Sequence, residues 1–502
     1  MIELTLREIA DIVGGTLHDV PDPAVTVTGA VEFDSRRVDS GGLFLALPGE
    51  HADGHDFAAA AVAAGAVAVL AARPVGVPAI VVEPLPVTPS RAMALAHDRD
   101  GSGAAVLTAL AALARVNVDR LVAAGGLTVV GVTGSSGKTS TKDLLASVLA
   151  PLGPVVAPPG SFNNEIGHPW TALRANSDTR FLVLELSARG PGHIKALTEI
   201  APPGIGVVLN VGTAHLGEFG SREAIAQAKG ELVEALPPSG VAVLNADDPN
   251  VAAMASRTRA RVVTVGQSSG ADVRATDVVL DADARARFTL HAKGSVSKGG
   301  TPRPDEGTAV ELRLAVHGEH QVGNALAAAA VALECGADLD TVVRALSDAR
   351  IASAHRMDVR TRADGVTVVN DSYNANPDSM RAALKALVSM AKTGERRSWA
   401  VLGEMAELGE DSVIEHDRIG RLAVRLDVDR LIVVGDGRPA HALHQGAVME
   451  GSWGEESVLV PDIDAAIAVL DNEIAAGDVV LVKASNSVGL WAVADHLTEA
   501  AV

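Results

Sequence analysis

The segment GVTGSSGKTS, Gly131 to Ser140, joins an apolar run, LTVV, to the stretch KTSTKDLLASVLA. The common phosphate-loop pattern fails on strict count, because Val132 stands where the longer motif has its first glycine. The shorter form Gly134-Ser135-Ser136-Gly137-Lys138-Thr139 is intact, with Ser140 behind it. Glycines in such a turn let backbone N–H groups converge on phosphate oxygens. Lys138 would neutralise charge at the β and γ positions, and the Thr139 hydroxyl suits Mg²⁺. A Gly/Ser-rich turn can be purely structural, but strand, Lys-Thr and helix together favour nucleotide binding.

Other groups are less telling by themselves. Glu185 closes the apolar run FLVLEL, and His215 lies in NVGTAHLGEFGS after GIGVVLN. Both fall at the carboxyl ends of expected parallel strands, where ligands bind; a carboxylate there can hold Mg²⁺ and a neutral imidazole can join it. Singly, each reads as readily as an ion-pair partner or a loop residue. Lys229, on the helical stretch AIAQAKGELVEAL, reads by itself as a solvated charge.

The elements that must position these groups form three regions. Residues 1–103 hold short strands and turns and end in a loose Pro, Ser and Gly stretch, 86–103, read as a linker. Residues 104–349 hold the phosphate turn and the buried runs FLVLEL, GIGVVLN, VAVLN and RVVTV with helices between them, which predicts a mostly parallel sheet. Residues 291–307 have no apolar period and are expected to be a hairpin tip or insertion. Residues 350–502 alternate again through VTVVND, SWAVLG, RLIVVG and DVVLVKAS, the pattern of a second doubly wound domain. The expected fold is α/β: a central parallel-sheet P-loop domain between an N-terminal α/β domain and a C-terminal Rossmann-like domain.

Composition narrows the function. The 502 residues carry 42 Lys plus Arg against 62 Asp plus Glu, a net charge of −20. That balance speaks against general nucleic-acid binding, which needs a basic face. A single cysteine excludes an intrachain disulfide and any multi-cysteine metal site, and fits a reduced, cytoplasmic compartment. The most apolar run, Phe57 to Ala72, is shorter than the roughly 20 residues of a membrane span and is broken by Gly65; it reads as a helix followed by a buried strand.

In order and spacing, TGSSGKTS, SFNNEIG, ELSARGPGHI, NVGTAHLGEFGS, AKGE, HQVGNALAA, AHRMD, DSYNANPDSM and LGEMAELGE resemble the Mur ligase family over nearly the whole chain. SFNNEIG and DSYNANPDSM are the most discriminating and point to the member that adds a dipeptide. The resemblance implies an ATP-dependent amide-bond ligase of cytoplasmic peptidoglycan precursor synthesis, joining D-Ala-D-Ala to UDP-N-acetylmuramoyl-tripeptide through an acyl phosphate. It makes the central P-loop domain the ATPase domain and the N-terminal domain the substrate domain. It also implies two Mg²⁺ sites held by Thr139, Glu185, His215 and a carbamylated Lys229, with Lys138, His215 and Lys229 in catalysis. Nucleotide contacts carried over are the loop Gly134–Ser140, Asn164 and Asn324 near the adenine, Arg356 at the phosphates and Asp371 at the ribose. Substrate contacts carried over are Asp34, Ser35 and Arg36 for the uridine diphosphate, Asn374 and Asn376 facing the incoming dipeptide, and Lys483 and Ser485. The last pair sits in Lys483-Ala484-Ser485-Asn486-Ser487, where the family has a Lys-Gly-Ser-Arg-Ser-like segment, so one polar contact is missing. A monomer is expected. Two readings stay open beside this one: a sister Mur-type amino-acid ligase or folylpolyglutamate synthase-like enzyme, and a non-catalytic nucleotide-binding regulator. With aromatic residues at only 2% of the chain, base recognition is expected to rest on Asn and backbone contacts, and the only tyrosine, Tyr373, falls inside DSYNANP.

Overall fold

Continuous β-branched and aliphatic runs, unbroken by polar alternation, must be buried on both faces, and they build the middle of each sheet. The structure, a computed structural model, describes residues 1–87, 95–213, 216–293, 308–451 and 457–499. His215 and residues 294–307 therefore lie outside the described residues, as does 88–94 of the expected linker.

The central sheet has nine strands. Thr128–Thr133 lies between Phe181–Glu185 and Ile205–Val208, parallel to both. Val155–Val156 continues the sheet on one side, and Val241–Asn245 and Arg261–Gly266 continue it on the other, all parallel. Because Thr128–Thr133 comes first in the chain yet lies inside the sheet, strand order reverses beside it. That reversal opens a crevice at the carboxyl ends, where the Gly134–Lys138 turn sits.

Three further strands extend this sheet in a way that the expected pattern did not include. Val273–Leu280 joins Arg261–Gly266 by a short parallel register, and Arg285–Ala292 and Thr308–His317 follow as antiparallel neighbours. The expected hairpin tip therefore falls between two antiparallel strands. Their exposed residues are polar apart from Val279 and Ala309, and their inward Phe288, Leu290, Leu312 and Leu314 pack with the alanine-rich helix Gln321–Glu334.

In the N-terminal region, Ala79–Val81, Ala68–Ala71, Leu43–Leu45 and Val31–Glu32 run parallel, with Thr16–His18 antiparallel at the edge. Phe57 to Ala72 resolves into the helix Ala58–Ala64 and the buried strand Ala68–Ala71. The long helix Ser102–Ala123 buries Val106, Leu110 and Leu113 in a core that Leu43, Leu45, Leu70, Leu182 and Leu184 share, so it packs the first sheet to the central one.

The C-terminal sheet runs parallel through Thr367–Asn370, Val479–Lys483, Ser398–Leu402, Arg430–Val434 and Ser457–Val460, with Asp358–Thr361 antiparallel at its edge. Its carboxyl ends present Asp371, Lys483 and the loop Gly403–Glu407 toward the central domain. No helix among the described residues is long and apolar enough to cross a membrane.

Candidate functional site

Between the carboxyl ends of the central and C-terminal sheets lies a cleft of about 640 Å³. The central domain lines it with Ser135 to Ser140, Asn163, Asn164 and Asn324; the C-terminal domain adds Arg356, Asp371, Tyr373 and Lys483. Gly137 turns the strand into the helix Lys138–Leu149 with φ +81°, and a Cβ there would sit 2.6 Å from Asn324 Oδ1. Both the positive φ and the close approach require glycine. The loop after Ile205–Val208 holds the turn from behind: Asn210 accepts from Ser136 N–H at 3.0 Å, and Ser135 Oγ accepts from Gly212 N–H at 2.9 Å.

Glu185 is fully buried at the end of its strand. Its Oε2 accepts from Thr139 Oγ1 at 3.1 Å and from Ser161 Oγ at 3.2 Å, while Oε1 is buried without a partner. Burial raises the Glu185 pKa, and Arg356, Lys142 and Lys138 oppose that shift. A buried carboxylate oxygen left open beside a threonine hydroxyl is a hard-oxygen donor set of the kind Mg²⁺ takes. Lys138 donates to Gly134 O at 2.7 Å; burial pushes its pKa down to about 8, partly offset by Glu185. Lys229, on the helix Arg222–Glu234, is buried, and its pKa lies well below the usual lysine range through burial and the neighbouring Lys138 charge. It is not the solvated charge that its helix position alone would predict.

On the opposite wall, Asp371 pairs with Lys483 Nζ at 2.6 Å and accepts from Met357 N–H at 3.1 Å. The Arg356 guanidinium lies 4.2 Å over the Tyr373 ring. Ser485 Oγ accepts from Ala406 N–H, and the neutral His416 ring holds the same loop, donating from Nδ1 to Ser412 O and accepting from Met405 N–H at Nε2. Among the described residues, contacts across the cleft include Arg189 with Glu407 at 3.1 Å and Asp378 accepting from Thr213 N–H at 3.1 Å.

Three family domains match the chain: Mur ligase middle domain over residues 132–332, Mur ligase glutamate ligase domain over 355–486, and Mur ligase family catalytic domain over 28–113. The UDP-N-acetylmuramoyl-tripeptide–D-alanyl-D-alanine ligase of Mycobacterium tuberculosis is 63% identical over 99% of this chain and 98% of its own length. The chain belongs to the Mur ligase family. The ligase of the same name from Escherichia coli is 32% identical over 99% of each chain. Among solved structures, MurF from Acinetobacter baumannii superposes with a TM-score of 0.81 at 30% identity, covering 99% of both chains. MurF from Thermotoga maritima in complex with ADP superposes with a TM-score of 0.73 at 29% identity, covering 93% of this chain and 97% of that one. The three-domain Mur ligase architecture matches the expected fold class.

Of the residues singled out from the Mur motifs, the structure gathers most into the cleft, but several have prior commitments. Asn164 Oδ1 accepts from Gly167 N–H at the start of a helix, and Asn376 Oδ1 caps the helix Pro377–Thr393, leaving their amide groups as the freer ends. Asn374 Oδ1 accepts from Ala375 N–H. Asn324 does not cap its helix; it donates to Gln321 Oε1 and packs against Gly137. Asp34, Ser35 and Arg36 are not brought into the cleft; they form a turn on the N-terminal domain in which Arg36 makes a two-pronged contact to Asp34. Arg189, His193, His320 and Glu407 line the cleft without having been singled out, although each lies within a quoted motif.

Behind Glu185, His168 is fully buried, and burial pushes its pKa down to about 4. A folded-state pKa below the ordinary 6.5 means that the neutral ring contributes stability that is complete above pH 6.5 and is lost as pH falls toward 4. Over that window the loss amounts to roughly 3 kcal/mol. Thermal melts at pH 7 and pH 4.5 are expected to show a steeper acid loss for the wild type than for His168→Gln. Equal slopes would remove this histidine from the acid response.

Proposed function

We propose that the chain joins D-Ala-D-Ala to UDP-N-acetylmuramoyl-tripeptide in the cytoplasm, consuming ATP. The observation that carries the reaction is a cleft in which the phosphate turn, with the Glu185 carboxylate buried behind Thr139, faces Arg356 and the Asp371–Lys483 pair. The two substrates come from the name that the relatives carry. In this reading the substrate carboxylate takes the γ-phosphoryl group, giving an acyl phosphate and ADP. The dipeptide amine then attacks the acyl carbon, and the C–O bond to phosphate breaks as the amide forms. Both anions must approach each other, so the work of the site is electrostatic positioning.

Lys138 and the backbone N–H groups of Gly134 to Ser140 would bind the phosphates, with Arg356 reaching them from the C-terminal wall. Thr139 and Glu185 would hold one Mg²⁺; a carbamylated Lys229 and His215 would serve a second. When bound, the ions neutralise charge between the γ-phosphate and the carboxylate. Asp371, Asn164 and Asn324 are proposed for ribose and adenine, although Asp371 must serve a ribose hydroxyl while paired to Lys483. Asn374, Asn376, Lys483 and Ser485 are proposed for the acceptor side, and Asp34, Ser35 and Arg36 for the uridine diphosphate. With the chain at −20, attraction for these anionic substrates is local rather than global.

The test is ADP release from ATP and UDP-N-acetylmuramoyl-tripeptide with D-Ala-D-Ala or single amino acids as acceptor. Release with the dipeptide alone is expected. Turnover with a single amino acid and none with the dipeptide would reassign the chain to a sister ligase.

A further inference from the structure

Lys142 is a buried cation that belongs to neither the phosphate turn nor the cleft wall. It lies one helical turn beyond Lys138, and its side chain is 1% exposed. Its Nζ pairs with Asp143 Oδ1 at 2.8 Å, donates to Pro158 O at 2.6 Å and to Ser353 Oγ at 3.1 Å, and lies 3.5 Å from Gly160 O. The other oxygen of Asp143 accepts from Ser353 N–H at 3.1 Å. Ser353 is thus gripped twice by the helix that begins at the phosphate turn, across more than two hundred residues of chain.

Each partner leads into the site. Pro158 and Gly160 precede Ser161, which donates to Glu185. Ser353 lies three residues before Arg356 on the linker between the central and C-terminal domains. That linker is held away from relaxed backbone geometry: His355 has φ +58° and Met357 has φ +50°, one on each side of Arg356. Left-handed conformations in residues other than glycine persist only where surrounding contacts fix them. The contacts here are Ser353 to Lys142 and Asp143, His355 O to Tyr373 N–H, Met357 N–H to Asp371, and the His355 ring stacked on Trp491 at 5.9 Å. Burying a lysine–aspartate pair gives little net stability over an apolar replacement, so its better-founded role is to specify one arrangement of the chain.

We propose that Lys142 and Asp143 are positioning residues that lock the interdomain linker at Ser353, so that the phosphate-turn helix itself sets where Arg356 stands over the cleft. This rests on the reading that Arg356 meets the nucleotide. Neither residue lines the cleft; both reach Arg356 through Ser353 and the linker, and Lys142 also adds its charge to those acting on Glu185.

Two measurements on the full chain test it, and neither needs the acceptor substrates. Ser353→Ala removes one acceptor of Lys142 and leaves the salt bridge in place; Lys142→Gln keeps hydrogen-bond donors but removes the charge. Without nucleotide, each variant is expected to speed amide exchange over residues 353–357 while the strand Thr128–Thr133 stays as protected as in the wild type. In calorimetry with Mg-ATP, Ser353→Ala is expected to weaken binding about tenfold, the scale of one buried hydrogen bond. The same change in an Arg356→Ala background should cost little more. Unchanged exchange at 353–357 in both variants, or an undiminished ATP effect in the Arg356→Ala background, overturns the proposal. Failure of the dipeptide assay with these results intact would instead count against the assigned acceptor.

Discussion

Lys229→Ala is expected to lower ADP release by a factor of about 10² to 10³, the range for removing one preorganised charge-stabilising group, with partial recovery on adding a short-chain carboxylate such as acetate. Lys229 is buried on its helix, and among the described residues no carboxylate stands against it; its charged neighbour is Lys138. A cation there is doubly disfavoured, by burial and by a like charge. The neutral amine is the form that attacks CO₂. In the proposed carbamylation an N–C bond would form, a proton would leave to solvent, and the product would be an anionic carbamate. That change would turn repulsion with Lys138 into attraction and supply hard oxygen donors beside the phosphate turn. The alanine variant leaves space that a small carboxylate can enter, which is why rescue separates loss of the anion from loss of packing. Carbon-13 carbonate labelling of the wild type should give a carbamate resonance absent from the variant. Wild-type turnover in Lys229→Ala would remove this lysine from the chemistry.

What the sequence made legible was what short windows encode. The phosphate turn was readable because glycine placement, Lys-Thr and the flanking strand and helix lie within about fifteen residues, the range over which backbone conformation is set locally. Glu185 followed from the same logic, as the polar end of a buried strand. Asn376 and Asn164 show the limit of such windows: their residue type suits a ligand contact and a local backbone contact equally well, and a backbone N–H takes the side-chain oxygen in both, as a helix cap at Asn376 and in the turn leading into a short helix at Asn164. Lys142 was invisible, since its partners Pro158 and Ser353 come together only through the sheet and the linker. The Arg189–Glu407 contact likewise spans 218 residues. The three antiparallel strands from Val273 to His317 were missed because alternating, half-polar segments at a sheet edge give a weaker signal than the continuous apolar runs of its centre.

Lys138→Met is expected to weaken ATP binding and to cut turnover by about 10² to 10³, and the wild type should reveal the reason through pH. Before nucleotide arrives, burial holds the Lys138 pKa down to about 8, with only Glu185 pulling it upward and Arg356 opposing. A triphosphate brings several negative charges against the ammonium and raises that pKa. Between pH 8 and the raised value, binding must therefore take up a proton, and affinity falls by up to about tenfold per pH unit. Below pH 8 the amine is already charged and the slope vanishes. Calorimetry with Mg-ATP from pH 7 to 9.5, in two buffers of different ionisation enthalpy, measures both the slope and the proton. Lys138→Met should bind more weakly at pH 7 and lose the alkaline slope. Lys138→Arg should keep its charge across the range and also lose the slope, while its planar fork fits a point-charge position poorly and leaves turnover low. An alkaline slope that survives in both variants would mean that another group takes up the proton and that Lys138 enters the site already charged.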